Sequence, residues 1–119
     1  MKKRILLVED EPGNIDVMRL ELEALGYEVT VATNGREAVE MATAKPPDLI
    51  VMDILLPKSS GLEAASRIRN NPKTQVIPIL AATAKTLPGH REECLKTGCN
   101  DYLPKPFTLK ELGLLLGSY

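Results

Sequence analysis

Five short and nearly continuous apolar runs constrain the fold of this chain more than any other feature of its sequence. Four have the length of a strand and lie at residues 5–8, 29–32, 49–52 and 77–82, and a shorter run lies around residues 102–103. Strands that are apolar throughout, without alternation, are typical of a parallel sheet that is covered on both faces. The runs therefore predict a buried parallel sheet with helices on each side.

The segments between these runs carry the start and stop signals of helices. Pro12 suits a first helical position, and Gly26 can adopt the left-handed conformation that ends a helix. A fourth helix is marked less clearly, over residues 90–96 with Gly98 after it. Capping-box spacing predicts the starts of the second, third and fifth helices, at Asn34 with Glu37, Ser60 with Glu63, and Thr108 with Glu111.

Strand and helix thus alternate five times, which predicts an α/β fold: a doubly wound, five-stranded parallel sheet with five helices. The length of 119 residues suits one compact domain, so we expect a single domain over residues 1–119. In such sheets, ligands bind beyond the carboxyl ends of the strands, at the point where the winding reverses. The residues that follow the strands are therefore the first candidates for a functional site.

Charge and composition argue against several other classes of protein. The formal net charge is −1 and the basic residues are scattered, so no basic face for direct nucleic-acid binding is expected. The first apolar run ends in acids after four residues, and no other run approaches the length of a membrane span. We therefore expect a cytoplasmic protein without membrane contact. Cys94 and Cys99, with only His90 nearby, make a poor zinc set and are interpreted as reduced packing residues.

Acidic residues follow the first and the third strand. Glu9, Asp10 and Glu11 come directly after the first, and Asp53 comes directly after the third. Because these two strands flank the point where the winding reverses, their carboxylates should meet in one shallow pocket. Carboxylate oxygens without a nearby histidine or cysteine favour Mg²⁺. The alternative is that Asp10 and Glu11 only stabilise the start of the first helix through its dipole.

Two further polar residues follow the remaining strands at the same edge. Thr83 ends the fourth strand and offers a hydroxyl group, and Lys105 follows the fifth and offers a long cationic side chain. A phosphoryl group on Asp53 would need a metal, an ammonium group and a hydroxyl donor for its oxygens. The residues at this edge supply that set.

These strand-end motifs closely resemble those of one family, the receiver domains of bacterial two-component response regulators. VEDE follows the first strand, MDILLP with Gly61 the third, ATA the fourth and DYLPKPF the fifth. The resemblance covers essentially the whole chain, with the four motifs in order and at the expected intervals. It implies a flavodoxin-like sheet with strand order 2-1-3-4-5. It also implies a phosphorylation-dependent signalling switch, and not an enzyme that turns over a separate substrate.

The resemblance implies a metal set and an acceptor. Asp53 would accept the phosphoryl group and would bind Mg²⁺ together with Asp10 and the backbone carbonyl of Leu55. Glu9 would act on the metal mainly through water. Many members of the family carry Asp at the position of Glu9, so the longer side chain leaves the fine geometry of the metal's water shell open.

The resemblance also implies the phosphoryl-binding and switching residues. Lys105 would pair with the phosphoryl oxygens, and the Thr83 hydroxyl and the backbone N–H groups of Leu55 and Ala84 would donate to them. Tyr102 would be an aromatic switch that follows Thr83 inward, although a partly buried strand tyrosine is the alternative. Pro106 would follow a cis peptide bond that fixes the direction of Lys105.

Partners follow from the same resemblance. The phosphodonor would be a sensor histidine kinase or a histidine phosphotransfer protein, and the output face would comprise the fourth helix, the fifth strand and the fifth helix. The downstream protein is not identified by the sequence. Leucines at residues 114–116 are expected to support pairing of two phosphorylated copies. We expect a free-standing receiver, with a domain of a longer regulator or hybrid kinase as the alternative.

Three rival interpretations are less well matched. A haloacid-dehalogenase-type phosphatase expects an aspartate two residues after its nucleophile, where Leu55 stands. A nucleotide or flavin module expects a phosphate-binding loop after the first strand, but the segment EDEPGN is acidic. A degenerate receiver acting only as a docking scaffold would not need Asp10, Asp53, Thr83 and Lys105 together.

Overall fold

The computed structural model describes residues 2–53, 61–83, 90–105 and 107–119, and for residues 83 and 90 it describes the backbone alone. The strands are β1 (Arg4–Val8), β2 (Glu28–Ala32), β3 (Leu49–Met52), β4 (Ile79–Thr83) and β5 (Asp101–Pro104). The helices are α1 (Pro12–Ala24), α2 (Gly35–Ala44), α3 (Gly61–Arg69), α4 (His90–Thr97) and α5 (Leu109–Leu116). The predicted alternation of strand and helix is confirmed.

The five strands form one sheet in the order β2-β1-β3-β4-β5, and each neighbouring pair is parallel. The winding reverses between β1 and β3, because β2 lies on one side of β1 and all later strands lie on the other. This is the predicted doubly wound, flavodoxin-like arrangement. The central strands β1, β3 and β4 are covered on both faces, which explains why their sequences are apolar throughout.

Successive side chains of each strand contribute to two separate cores, one on each face of the sheet. On one face, Ile5 and Leu7 pack in the same cluster as residues of α1 and α5 such as Leu22 and Leu112. On the other face, Leu6 and Val8 share a cluster with residues of α2, α3 and α4. Helices α1 and α5 therefore lie on one side of the sheet, and α2, α3 and α4 lie on the other.

The fourth strand begins two residues later than its apolar run. Ile77 is buried, but its N–H donates to the carbonyl of Thr74 in a turn, 3.1 Å away, and the ladder begins at Ile79. Pro78 explains the difference, because proline has no N–H to contribute to a strand ladder. Its carbonyl still accepts the N–H of Ile50 at 2.9 Å.

Glycines end α1 and α4 as predicted. Gly26 has φ of 96° and Gly98 has φ of 132°, both in the region that favours glycine. After α1, the N–H of Tyr27 donates to the carbonyl of Leu22 at 3.1 Å, and after α4 the N–H of Cys99 donates to the carbonyl of Cys94 at 3.1 Å. Both are Schellman-type ends, in which free carbonyls of the last turn are satisfied.

The predicted helix starts are confirmed to different extents. Thr108 and Glu111 form the complete capping box at α5. Asn34 caps α2 by accepting the N–H of Glu37, but the Glu37 carboxylate accepts the N–H of Thr33, one residue before the expected partner. The predicted box at Ser60 lies outside the described residues.

The two cysteines are reduced and buried, as the sequence suggested. Burial raises the pKa of the Cys99 thiol to about 12 and also raises the pKa of the Cys94 thiol. Both thiols therefore stay protonated near neutral pH and act as small packing groups. Within the described ranges, no helix has the combined length and apolar character needed to cross a membrane.

Candidate functional site

The sheet register places Glu9 and Asp53 side by side. Val8 and Met52 are partners in the parallel ladder between β1 and β3, so the residues that follow them leave the sheet together. Two hydrogen bonds continue the ladder: the N–H of Asp53 donates to the Val8 carbonyl at 2.9 Å, and the N–H of Glu9 donates to the Ala32 carbonyl at 3.0 Å. Both backbones are therefore held at the carboxyl edge of the sheet, by which we mean the edge where the strands end.

Three carboxylates converge at this edge. One oxygen each from Glu9, Asp10 and Asp53 lies within 4.8 Å of the others. Glu9 is 2% exposed, Asp53 is half-buried and Asp10 is exposed, so the group opens to solvent on one side. The convergence expected from the sequence is present for these three acids, whereas Glu11 is exposed at the start of α1 and does not belong to the group. Hard oxygen donors in an open, partly hydrated pocket fit Mg²⁺, which keeps several waters and needs few protein ligands.

Lys105 brings positive charge to the same pocket from the end of β5. Its Nζ lies 3.1 Å from Oε1 of Glu9 and 4.0 Å from Oδ2 of Asp53, and 20% of its side chain is exposed. The sequence indicated Lys105 as a partner of phosphoryl oxygens. In the structure its nearer partner is the Glu9 carboxylate, a contact that sequence reasoning missed.

Glu9 is held in the site by three hydrogen bonds. While Oε1 accepts from Lys105, Oε2 accepts the N–H groups of Asp10 at 3.1 Å and Glu11 at 3.3 Å. Burial raises the pKa of the Glu9 carboxyl above its ordinary value, and the charge of Asp53 acts in the same direction, although Lys105 opposes both. The sequence offered one signal for the contact with Lys105: Glu9 is one methylene longer than an aspartate, so its carboxylate reaches further.

The alternative interpretation, in which Asp10 and Glu11 stabilise the start of α1 through its dipole, fits Glu11 better than Asp10. Glu11 is the N-cap of α1, and its side chain makes no capping hydrogen bond. Pro12 occupies the first helical position, which needs no N–H partner. Asp10, in contrast, contributes an oxygen to the carboxylate group with Glu9 and Asp53.

Tyr102 lies next to the site in β5, opposite Ala81 of β4. It is half-buried and packs against the same core cluster as Cys94 of α4. Burial raises the pKa of its phenol. The position suits a partly buried strand tyrosine, and its role as a switch stays a prediction.

The remaining predicted site residues are only partly covered. Thr83 is the last residue of β4 and pairs with Pro104, so its backbone lies at the carboxyl edge beside the residue before Lys105. The Thr83 side chain and the residues Leu55, Ala84 and Pro106 lie outside the described part of the chain. Their expected roles therefore stay predictions.

Comparison with known proteins gives consistent matches over the whole chain. The sequence profile of the response regulator receiver domain matches residues 5–116. The polar-differentiation response regulator DivK of Brucella anthropi is 37% identical over 119 residues, which are 100% of this chain and 97% of that protein. The alkaline phosphatase synthesis transcriptional regulatory protein PhoP of Bacillus subtilis is 38% identical over 112 residues, 94% of this chain but 46% of that protein.

Solved structures show the same fold. The receiver domain of sensor histidine kinase PA1611 from Pseudomonas aeruginosa, with a magnesium ion coordinated in its active-site cleft, superposes with a TM-score of 0.93 at 43% identity. That match covers 100% of this chain and 98% of the other. The chemotaxis response regulator CheY4 of Vibrio cholerae superposes with a TM-score of 0.91 at 30% identity, covering 99% and 98%.

Proposed function

This chain belongs to the response regulator receiver domain family, and from that premise we propose that it is a switch phosphorylated on Asp53. The observation that carries the proposal is the convergence of Glu9, Asp10 and Asp53 within 4.8 Å, with Lys105 beside them. Receiver domains work in two-component signalling and in general do not turn over a separate substrate. The phosphodonor would be a histidine kinase or a histidine phosphotransfer protein.

The proposed reaction is a transfer between a phosphohistidine and Asp53. A carboxylate oxygen of Asp53 forms a bond to phosphorus while the bond from phosphorus to the donor imidazole nitrogen breaks, and the released imidazole takes up a proton. Phosphoryl transfer depends chiefly on positioning and on neutralising negative charge. The hydrogen bond from Asp53 N–H to the Val8 carbonyl supports the positioning, because it holds the backbone of the acceptor at the end of β3.

Asp10, Asp53 and the Leu55 carbonyl would hold Mg²⁺, with Glu9 acting on its water shell. When bound, the ion would supply positive charge shared between the acceptor carboxylate and the phosphoryl oxygens. Asp10 is exposed and so is accessible to a hydrated ion. Glu9, buried and already accepting three hydrogen bonds, suits a supporting role better than direct coordination.

Lys105 would move from the Glu9 carboxylate to an oxygen of the phosphoryl group. Its Nζ is 4.0 Å from Oδ2 of Asp53, so a change in side-chain rotamer suffices to reach a group attached there. Glu9 would thus keep the ammonium close to the acceptor before transfer. The Thr83 hydroxyl and the N–H groups of Leu55 and Ala84 would complete the phosphoryl site, with Pro106 directing Lys105.

The output would pass through the face formed by α4, β5 and α5. Thr83 would be drawn toward the new oxygens, and Tyr102, which already packs beside Cys94 of α4, would turn into the space left behind. The expectation for the leucines at residues 114–116 needs a correction, because Leu116 is buried in the core and Leu115 packs against it. Leu114 and Leu109 are exposed large apolar residues, so they would offer surface to a downstream protein or to a second phosphorylated copy. A preference of a few kcal/mol for a minor pre-existing arrangement is enough for such a switch.

Intact-mass measurement with Mg²⁺ and a small-molecule phosphodonor tests the acceptor. The chain should gain one phosphoryl group, which peptide mapping should place on Asp53. Asp53→Asn should stay unmodified, and Asp48→Asn, which changes an acid at the opposite edge of the sheet, should behave like the parent protein. Chelation of the metal or Asp10→Asn should suppress the reaction. Modification of Asp53→Asn to the parental extent would refute the assignment of the acceptor, whereas no modification of the parent protein would favour a docking scaffold.

A further inference from the structure

Arg69, the last residue of α3, connects three segments at the amino edge of the sheet, where the strands begin. Its Nε donates to the Gly98 carbonyl at 2.9 Å, one Nη donates to the Gln75 carbonyl at 2.6 Å, and the other donates to Oδ1 of Asn100 at 2.8 Å. The guanidinium thus joins the end of α3, the turn before β4 and the segment between α4 and β5.

Asn100 extends this connection into the sheet. Its Oδ1 also accepts the N–H of Ile79 at 2.8 Å, and its own N–H donates to the Ile79 carbonyl at 2.7 Å. Ile79 is the first residue of β4 and is fully buried. The segment that follows α4 is therefore held on one side by a buried strand and on the other by Arg69.

Gly98 lets the two segments approach closely. Its φ of 132° is unfavourable for other residues, and a Cβ atom there would lie 3.2 Å from Cγ of Arg69 and 3.4 Å from the Ala65 carbonyl oxygen. The Schellman-type end of α4 depends on the same glycine. The carboxyl end of α4 therefore packs closely against α3, in contact with the aliphatic part of the Arg69 side chain.

The amino half of α4 has no comparable attachment among its described side chains. Arg91, Glu92 and Glu93 are exposed, and Cys94, near the middle of the helix, is the first buried side chain described in it. An eight-residue helix spans about 12 Å. Because helices run antiparallel to the strands in this fold, the amino end of α4 lies at the carboxyl edge, the same edge as Asp53.

We propose that Arg69 anchors the carboxyl end of α4, so that when the site changes, α4 pivots about that end and its amino end moves most. The resting anchor is a property of the described contacts alone, whereas the pivot rests on the proposed function. Arg69 acts here as a positioning residue, at the opposite edge from the phosphoryl site. The arrangement converts a small displacement at the carboxyl edge into a tilt of one helix.

The chemistry of the side chain supports this role. A guanidinium group presents several donors in a fixed plane, so one residue can hold three acceptors from different segments. Arg69 is half-buried, and this burial lowers the pKa of its guanidinium. The hydrogen bond to the Gly98 carbonyl is partly buried, where such a bond is stronger than in water. A lysine at this position would have one charged nitrogen and could not reach the same three acceptors together.

The first experiment tests the anchor in the unmodified protein. Amide hydrogen exchange should be measured for Cys99 and Asn100 in the parent, in Arg69→Lys and in Arg67→Lys. Arg67 is the matched control, because it lies on the same helix but is exposed, and its ion-pair partner among the described residues is Glu63 at 3.2 Å. We expect exchange at Cys99 and Asn100 to accelerate by at least about tenfold in Arg69→Lys and to stay unchanged in Arg67→Lys. Equal rates in all three proteins would overturn the anchor.

The second experiment tests the pivot by NMR with a beryllofluoride mimic of the phosphoryl group. Residual dipolar couplings should show α4 tilting, with the N–H of Asn100 and the Nε–H signal of Arg69 unchanged. If α4 moved by translation as a whole, or if the Nε–H signal of Arg69 were lost, the pivot would be wrong. Shifts of the pocket signals in the same experiment would still support the proposed function. No shift in the pocket would instead contradict the proposed function, and the exchange experiment would still decide whether Arg69 is an anchor.

Discussion

The two edges of the sheet differ in how their polar groups are paired. At the carboxyl edge, three carboxylates lie within 4.8 Å of one another, and the Lys105 ammonium group lies beside them. At the amino edge, charged and polar groups meet acceptors of the right kind, as when Arg69 donates to three oxygens. The contrast indicates that like charges are gathered where a ligand can compensate them.

The same pair of hydrogen bonds occurs at two places along the amino edge. Asp48, just before β3, accepts the N–H of Arg4 at 2.7 Å and donates its own N–H to the Arg4 carbonyl at 2.9 Å. Asn100, just before β5, makes the equivalent pair of bonds to Ile79 of β4. In both cases a short polar side chain satisfies the first N–H of a neighbouring strand, which would otherwise lack a ladder partner.

The largest effect should come from removing the cation at the carboxyl edge. Lys105→Met leaves the buried Glu9 carboxylate without its ion-pair partner, so the free energy of unfolding in metal-free buffer should fall by about 3 kcal/mol. Saturating Mg²⁺ should restore part of the loss by binding the folded state. Urea unfolding with and without Mg²⁺ measures both quantities.

Lys110→Met is the matched control, since Lys110 is exposed on α5. Its substitution should change the free energy of unfolding by less than about 0.5 kcal/mol. If the two variants lost equal stability, the Glu9–Lys105 pair would have no special role in the resting pocket.

A smaller effect on the free energy of unfolding is expected from removing the Asn100 hydrogen bonds at the amino edge. Asn100→Ala removes the acceptor for both Ile79 N–H and Arg69, so it should lower the free energy of unfolding by about 2 kcal/mol. Asn70→Ala is the control, because within the part of the chain that the structure describes the exposed Asn70 side chain makes one long contact, of 3.5 Å, to Ser66. Chemical denaturation compares the two. A loss no larger than that of Asn70→Ala would show that water replaces the Asn100 contacts.

The smallest effects should differ in sign between the edges. Asp10→Ala relieves repulsion among the acids, so in metal-free buffer it should leave stability unchanged or raise it by up to about 1 kcal/mol. Asp48→Ala removes a cross-strand acceptor and should lower stability by about 1 kcal/mol. Both aspartates are exposed and lose the same atoms, so each serves as the control for the other in thermal or urea unfolding. Losses of the same sign and size would remove the contrast between the edges.

Several parts of the structure could be predicted because they depend on neighbours in sequence. Gly26 and Gly98 end their helices through local backbone conformation, and the Thr108 box closes within four residues. The start of β4 was predicted two residues too early, because the apolar character of Ile77 describes burial and not ladder bonding. At α2 the capping box predicted that the Glu37 carboxylate accepts the N–H of Asn34. It accepts the N–H of Thr33 instead, because the flexible glutamate side chain can also reach this neighbouring residue.

Among the described residues, the sequence predicted that acids from two strand ends would meet near Lys105, but it did not predict which groups pair. The positions of Asp53 and Glu9 at strand ends follow from the order of apolar runs, since parallel strands end at one edge. That Lys105 pairs first with Glu9 depends on side-chain lengths and on the exact register of β5, which is set by contacts between distant segments. The acceptor role of Asp53 remains the proposal that the mass measurement tests.

The sequence by itself determined the alternation of strands and helices, the ends of most helices and the collection of acids at strand ends, because periodicity, capping and turn preferences act over a few residues. Only the tertiary structure decided which polar groups meet across the sheet. Arg69 is an ordinary basic residue in the sequence, yet its three acceptors lie at Gln75, Gly98 and Asn100. Such contacts depend on the packing of α3 against α4 and on the order of the strands, which bring together residues up to 31 positions apart.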